Sequence, residues 1–299
     1  MTPGEIPCSS ISESIEEPMF GTASVCTRWL LIQDQSPWGR NAILEGGIPL
    51  DVAEPLLDRC SEQKVRVVLI KRPDDEGKTE REAFFVDTSP GRSVLHHRVL
   101  ETEDLLSEDL LSVDDPRAWT RSEEELVLVC THGRHDVCCA VKGNPISAAL
   151  LNGEHRELVW KASHIGGDRF AGNIAYFPEG IFLGRVPVQY AESLVGTLRE
   201  GRLPMRYLRG RTGYPFVVQA AEHLLRERLG TDRIDDLSWL SSDRVSDTRR
   251  AVHFEARGGE RWQVLLSVSP STTARRLTCA ATLEQRPPVF HLEDLHVTN

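Results

Sequence analysis

The 299-residue sequence has no C-x-x-C pair, no glycine-rich phosphate loop, no apolar run of membrane length and no sustained basic stretch. Each absence removes a class of function. Without C-x-x-C, neither a zinc knuckle nor a thioredoxin-type dithiol is indicated. Without G-x-G-x-x-G after a strand, or a Walker-type loop, a flavin or nicotinamide would have to belong to a partner. No segment approaches the ~20 apolar residues of a membrane span, and "MTPGEIPCSSISESIEEPMF" lacks the basic start and apolar centre of a secretory signal. Lys and Arg number 35 against 45 acidic residues, a net charge of -10, so nothing tracks a phosphate backbone and nucleic acid is not an expected partner. The chain therefore reads as cytoplasmic and independent of membranes. In that reducing compartment its seven cysteines, odd in number and scattered, do not form a disulfide framework.

The 40% hydrophobic content is enough to build real cores. Residues 1–20 are polar and aperiodic and read as a flexible arm. "VCTRWLLIQD", "IPLDVAEPLLDRC", "KVRVVLIKR", "EAFFVDTS" and "TEDLLSEDLLSV" then give the order β-α-β-β-α over residues 21–120. After the charged connector "DDPRAWTRSEEE" the order returns over 121–230. It runs "ELVLVC" as strand, "NPISAALLNG" as helix with Asn144 and Pro145 at its start, "ELVWKAS" as strand, "AGNIAYFPEGIFLGRV" as hairpin and "PVQYAESLVGTLREG" as helix. "GYPFVVQAAEHLLRERL" is a further amphipathic helix closed by Gly230. The last part, 231–299, reads as a small antiparallel β appendage. The fold class expected is α/β, with one topology written twice.

Two stretches concentrate metal-ligand chemistry. "CTHGRHDVCC" (130–139) begins where a strand ends, the position at which α/β folds gather functional side chains. "SHIGGDRFAGN" (163–173) places two glycines after His164, a sharp turn that lets His164 and Asp168 point to a common centre. Taken singly, His164 has the ordinary reading of a buried histidine bonded to backbone. Cys8, Cys26, Cys60 and Cys279 read as isolated packing residues, His96 and His97 as a solvated face, and Arg185 as a surface charge.

Together these stretches, with "VWKASHIGGDRFAGNIAYFPEGIFLGRV", resemble the sucrase/ferredoxin-like family. That resemblance implies two thioredoxin-like domains, the second being a ferredoxin domain with a 2Fe-2S cluster held by C-x8-C and by two histidines in an H-x-G-G-H turn. Cys130, Cys139 and His164 match the pattern; the fourth position is Asp168 instead of His. Four arrangements stay open: Asp168 ligates; Cys138, His132 or His135 supplies the fourth ligand; Asp168 supports a ligand; or the site carries no cluster. Between the adjacent pair, spacing favours Cys139. Imidazole ligation would raise the potential above that of an all-cysteine ferredoxin, and a carboxylate would lower it again.

The function so implied is electron transfer between redox partner proteins, a reductase and an acceptor, with no carbon substrate of its own. The N-terminal domain would then be scaffold or docking surface. A thiol-based redox protein and a cluster-free or zinc-binding thioredoxin-like module are the competing classes.

Overall fold

A computed structural model describes residues 6–73, 80–115 and 117–298. The chain opens with helix α1 (Cys8–Ser14), followed by β1 (Arg28–Gln33), α2 (Leu50–Glu62), β2 (Val65–Lys71), β3 (Arg81–Asp87), β4 (Val94–Leu100) and the short β5 (Thr120–Ser122). Next come β6 (Leu126–Cys130), α3 (Val137–Leu151), β7 (Val159–Ala162), β8 (Ile174–Phe177), β9 (Ile181–Leu183), α4 (Ala191–Arg199), β10 (Leu208–Arg211) and α5 (Phe216–Leu229). The chain closes with β11 (Leu237–Arg244), β12 (Arg249–Ala256), β13 (Arg261–Pro270) and β14 (Pro288–Thr298).

The first ten strands form one mixed sheet in the order β10-β9-β8-β6-β7-β2-β1-β3-β4-β5. The repeated element order reappears in it as a repeated pairing. β1 lies parallel to β2 and antiparallel to β3, which pairs with β4; β6 lies parallel to β7 and antiparallel to β8, which pairs with β9. The two sets meet edge to edge, β2 antiparallel to β7 through Ile70 opposite Ala162 and Lys71 opposite Lys161. That junction hides an edge from each set, which would otherwise present unpaired amides. The inner strands "LLIQ" and "LVLVC" are buried at every position because both sheet faces are covered.

One face carries α2 over Leu30, Ile32, Leu69 and Phe85 in the first half, and the second half has its own cluster that includes Val127, Val129, Ile146, Leu150 and Val195. On the other face side chains of both halves merge, Trp29 and Val68 with Leu128, Trp160 and Phe182. The sheet curls strongly. Trp29 of β1 meets Phe177 of β8 and Phe182 of β9 with ring centroids 5.5 and 5.8 Å apart, although four strand spacings would hold a flat β1 and β8 about 19 Å apart. The last four strands form a separate antiparallel sheet, β11-β12-β13-β14, whose Val252, Phe254, Val264 and Leu266 pack against Val218, Ala221 and Leu225 of α5.

The structure departs from the sequence reading in several places. "TEDLLSEDLLSV" forms two 3-10 turns, Glu103–Leu106 and Glu108–Leu111, because Ser107 between them is extended (φ -61°, ψ 144°) and breaks any longer helix. Helix α3 starts at Val137, not at Asn144: Asp136 caps it, its side chain accepting the Cys138 N–H at 2.9 Å, and Pro145 lies inside. That proline removes one rung, the bond to the Val141 carbonyl, and Val141 is on the exposed side. The β appendage gains β11, and His96, expected in solvent, is buried.

Lastly, residues 8–14 of the expected arm are α1, with Cys8, Ser9 and Ser12 buried. Glu17 ties down the chain just beyond that helix. Its carboxylate takes Arg275 through Oε1 at 2.6 Å and Oε2 at 2.9 Å, Arg169 at 2.9 Å and the Ser12 hydroxyl at 2.7 Å. Burial pushes the Glu17 carboxyl up, but the Arg275 hydrogen bond, the Arg169 charge and Ser12 together hold it below the glutamate range. A group so depressed stabilises the fold fully above its unfolded pKa, near 4.5, and loses that contribution as pH falls through the lower folded value. Glu17→Gln is therefore expected to cost about 3 kcal/mol at neutral pH, as loss of one member of a buried ion network does. In chemical denaturation at about pH 3 the gap between variant and parent narrows, and an equal gap at both pH values would refute the assignment.

Candidate metal centre

Strands β6 and β7 run parallel, and both predicted ligand stretches leave from their C-terminal ends. Cys130 closes β6 and Cys139 sits in the first turn of α3. Beyond β7, Gly166 and Gly167 take φ of +96° and +84°, which L side chains rarely adopt, and the chain turns back into a 3-10 turn at Asp168–Phe170. A Cβ on Gly166 would lie 2.1 Å from the Ser24 hydroxyl, and one on Gly167 2.3 Å from the Arg209 guanidinium.

The turn brings the four expected residues together. The Cys139 thiol donates to Asp168 Oδ1 at 3.2 Å, and His164 Nδ1 stands 3.0 Å from the same oxygen, within ion-pair range though not aligned as a hydrogen bond. The donor atoms of Cys130, Cys139 and His164 all lie within 4.8 Å of one another. Asp168 Oδ2 is buried with no hydrogen-bond partner, His135 Nε2 being 3.7 Å away. His164 is open to solvent on one side, its side chain 26% exposed, and borders a cavity of about 420 Å³ shared with His132, His135 and residues 40–43 of the first half.

The electrostatics follow from these contacts. The Cys139 thiol beside Cys130 holds Cys130 well below the thiol range; burial opposes this and His164 assists it. The same contact, with burial, pushes Cys139 up. Burial would lower His164, but contact with Asp168 and Cys130 raises it to about 9. Burial would raise Asp168, yet His164, Cys139 and His135 keep it below the carboxylate range. These shifts favour the thiolate at Cys130, the thiol at Cys139, the imidazolium at His164 and the carboxylate at Asp168. Two cations face the site, Arg209 buried and Arg66 half-buried. Arg66 donates to the His164 carbonyl at 2.9 Å; Arg209 donates to the Gly166 carbonyl and Asn173 Oδ1, both at 2.9 Å, and to the Thr22 carbonyl. Among the described residues Arg209 donates to carbonyl, amide and hydroxyl oxygens, and its charge also acts on Asp168 and Cys130.

Sequence reasoning missed both arginines. Arg66 could have been noticed as a charge inside the apolar run "VRVVLI"; Arg209 in "YLRGRTG" carries no such signal. The alternative ligands separate by direction. His132 Nε2 is 2.7 Å from the Gly39 carbonyl, while the His135 ring stacks on His164 with centroids 3.7 Å apart. Cys138 faces away from the site, its sulfur 3.6 Å from that of Cys8 and 3.4 Å from that of Cys279. Cys8 and Cys279, expected as isolated, are therefore clustered. Hydrogen bonds from Cys8 outweigh burial and, with Ser9, bring the Cys138 thiol down to about 6. Arg185, expected as a surface charge, is half-buried, donating to the Ser12 carbonyl and hydroxyl at 2.9 and 2.7 Å. Cys60 is a core residue and Cys26 donates to the Arg28 carbonyl, as packing residues do.

Residues 19–210, about two thirds of the chain, match the sucrase/ferredoxin-like family. The chain belongs to that family. Two curated relatives are the altered inheritance of mitochondria protein 32 of Meyerozyma guilliermondii, 36% identical over 83 residues, and that of Clavispora lusitaniae, 33% identical over 105. The matches cover 25% and 31% of this chain and 29% and 37% of those proteins, so the chain spans about a third of their length. Among solved structures, the thioredoxin-like [2Fe-2S] ferredoxin from Aquifex aeolicus aligns over 31% of this chain and 97% of its own at 15% identity, with a TM-score of 0.28. Its wild-type form at 1.5 Å aligns over 30% and 100%, at 14% identity and a TM-score of 0.27.

Gly167→Ala is expected to lower stability by about 3 kcal/mol, since it combines a strained backbone with a clash against a buried guanidinium. A shift in the denaturation midpoint at unchanged slope is the readout. Wild-type stability in this variant would show that the turn does not need its left-handed backbone.

Proposed function

We propose that the protein is an electron carrier with one 2Fe-2S cluster in a thioredoxin-like ferredoxin domain (residues 121–230), beside a second thioredoxin-like domain (21–120) and a β-rich extension. The observation that carries the reading is the convergence of two thiols, an imidazole and a buried, unpartnered carboxylate oxygen in a member of this family. That donor set suits iron-sulfur chemistry with mixed ligation. Cys130, Cys139, His164 and Asp168 would hold the cluster, which when bound supplies one-electron exchange.

The protein's own residues then have distinct tasks. The surroundings favour the anionic forms of Cys130 and Asp168 and the protonated forms of Cys139 and His164, which have to release protons to ligate. Three anionic ligands and one imidazole make the site more negative than two thiolates with two imidazoles would. Arg66 and Arg209 offset part of that charge without adding a ligand. His164, at the cavity mouth, is the exit toward solvent for an electron or a proton. Residues 40–43 give the first half a share of the rim where a redox partner would dock; an acidic chain suits a basic partner face. The seven free thiols fit a reducing compartment, which we take to be the cytoplasm. No helix among the described residues is long and apolar enough to cross a membrane.

Protein purified under nitrogen should be red-brown, with about two iron and two sulfide per chain. Cys130→Ala, Cys139→Ala and His164→Ala each should abolish the visible bands, Asp168→Ala should bleach or shift them, and Cys138→Ala should leave them in place. Colourless protein under these conditions, or full colour in Cys139→Ala, would sink the proposal. Because loading displaces up to two protons, apparent iron affinity in reconstitution should climb ~100-fold per unit between about pH 6 and 8. A pH-independent yield would mean that Cys139 and His164 are not ligands.

A further inference from the structure

The second cysteine cluster joins three distant parts of the chain: Cys8 in α1, Cys138 in α3 and Cys279 in the segment between β13 and β14. Their sulfurs form a triangle with sides of 3.6, 3.4 and 3.6 Å. Asp136 Oδ2 lies 3.6 Å from the Cys8 sulfur, and all four donor atoms fall within 4.8 Å of one another. Zn–S bonds of about 2.3 Å and Zn–O bonds of about 2.0–2.2 Å in a tetrahedron require edges of roughly 3.8 Å between sulfurs and roughly 3.6 Å between sulfur and oxygen. The four atoms therefore outline a coordination shell contracted by a few tenths of an ångström, sized for one ion.

The surroundings are those of a ligand set already aimed. The Asp136 carboxylate is fixed by two backbone donors, Cys138 N–H on Oδ1 at 2.9 Å and Cys279 N–H on Oδ2 at 2.6 Å. The Cys8 N–H points at the Cys279 sulfur at 3.4 Å, the kind of outer contact that orients metal thiolates. Three thiols plus a carboxylate without an imidazole is a donor set for zinc, closed on four sides and so structural in kind.

We propose that Cys8, Cys138, Cys279 and Asp136 bind one structural Zn²⁺, the thiol protons leaving to solvent as it binds. The ion staples α1 and the 271–287 segment onto the first turn of α3. This site shares no ligand with the one formed by Cys130, Cys139, His164 and Asp168. Cys138 and Cys139, adjacent in sequence, point about 100° apart around α3 and so serve different centres, and the zinc inference does not rest on the electron-transfer reading.

Metal analysis of the full chain, purified under nitrogen and given zinc chloride, tests it. One zinc per chain is expected in the wild type and in the Cys130→Ser/Cys139→Ser variant, whether or not iron is present. Cys8→Ser and Cys279→Ser should each lose that zinc while keeping any visible bands. X-ray absorption at the zinc edge of the wild type, which needs no variant to fold, should show three sulfurs at about 2.3 Å and one oxygen. Wild-type protein that takes up no stoichiometric zinc overturns the proposal, as does zinc undiminished in both Cys8→Ser and Cys279→Ser. A zinc edge without three sulfurs, or a disulfide within the triad in the protein as isolated, is equally decisive against it.

Discussion

The reversal after β7 is the constraint on which the site depends. Gly166 and Gly167, both with left-handed backbone and both pressed against neighbouring side chains, turn Asp168 back until its carboxylate meets the Cys139 thiol and the His164 ring. Without that turn β7 would continue outward, and the thiols of β6 and α3 would face only apolar core.

Around this turn the molecule places charge where burial alone would forbid it. A buried carboxylate and a thiolate are tolerated because an imidazole lies between them and Arg66 and Arg209 stand behind the turn. The arginines are themselves held by backbone carbonyls instead of carboxylates, which leaves their charge available to the site. Arg209 has two roles: it braces the glycine turn mechanically and supplies field.

The N-terminal segment completes this assembly from outside. Residues 8–17 lie against the Asp168–Phe170 turn, tied by Glu17 to Arg169 of the turn itself and to Arg275 of the C-terminal segment. The N-terminal segment and the segment between β13 and β14 thus close over the part of the fold that carries the ligands. The three-cysteine cluster is a second tie between the N-terminal and C-terminal segments, made through the first turn of α3 instead of the Asp168–Phe170 turn.

Much of this was legible in the residues. The largely apolar runs "LLIQ", "VRVVLI" and "LVLVC" announced central strands, because strands covered on both faces read as near-continuous apolar runs instead of alternating ones. The glycine pair announced a turn because no other residue takes its backbone so readily. What could not be read was anything set by separation in sequence. Periodicity describes neighbours three, four or two residues apart, so it was silent on Cys8 and Cys279 meeting Cys138 and on Glu17 meeting Arg275. The start of α3 differs from the sequence reading for a related reason: Pro145 suits a first turn, but the cap at Asp136 and the packing of Cys139 and Ile146 outweigh one lost hydrogen bond. The sequence by itself determined most of the strands, the repeated order and the identity of the clustered ligand types, since these are local consequences of side-chain chemistry. Tertiary structure alone decided which thiols face which centre and which cations stand behind them, because a contact across hundreds of residues exists only once two sheets and both chain ends have packed.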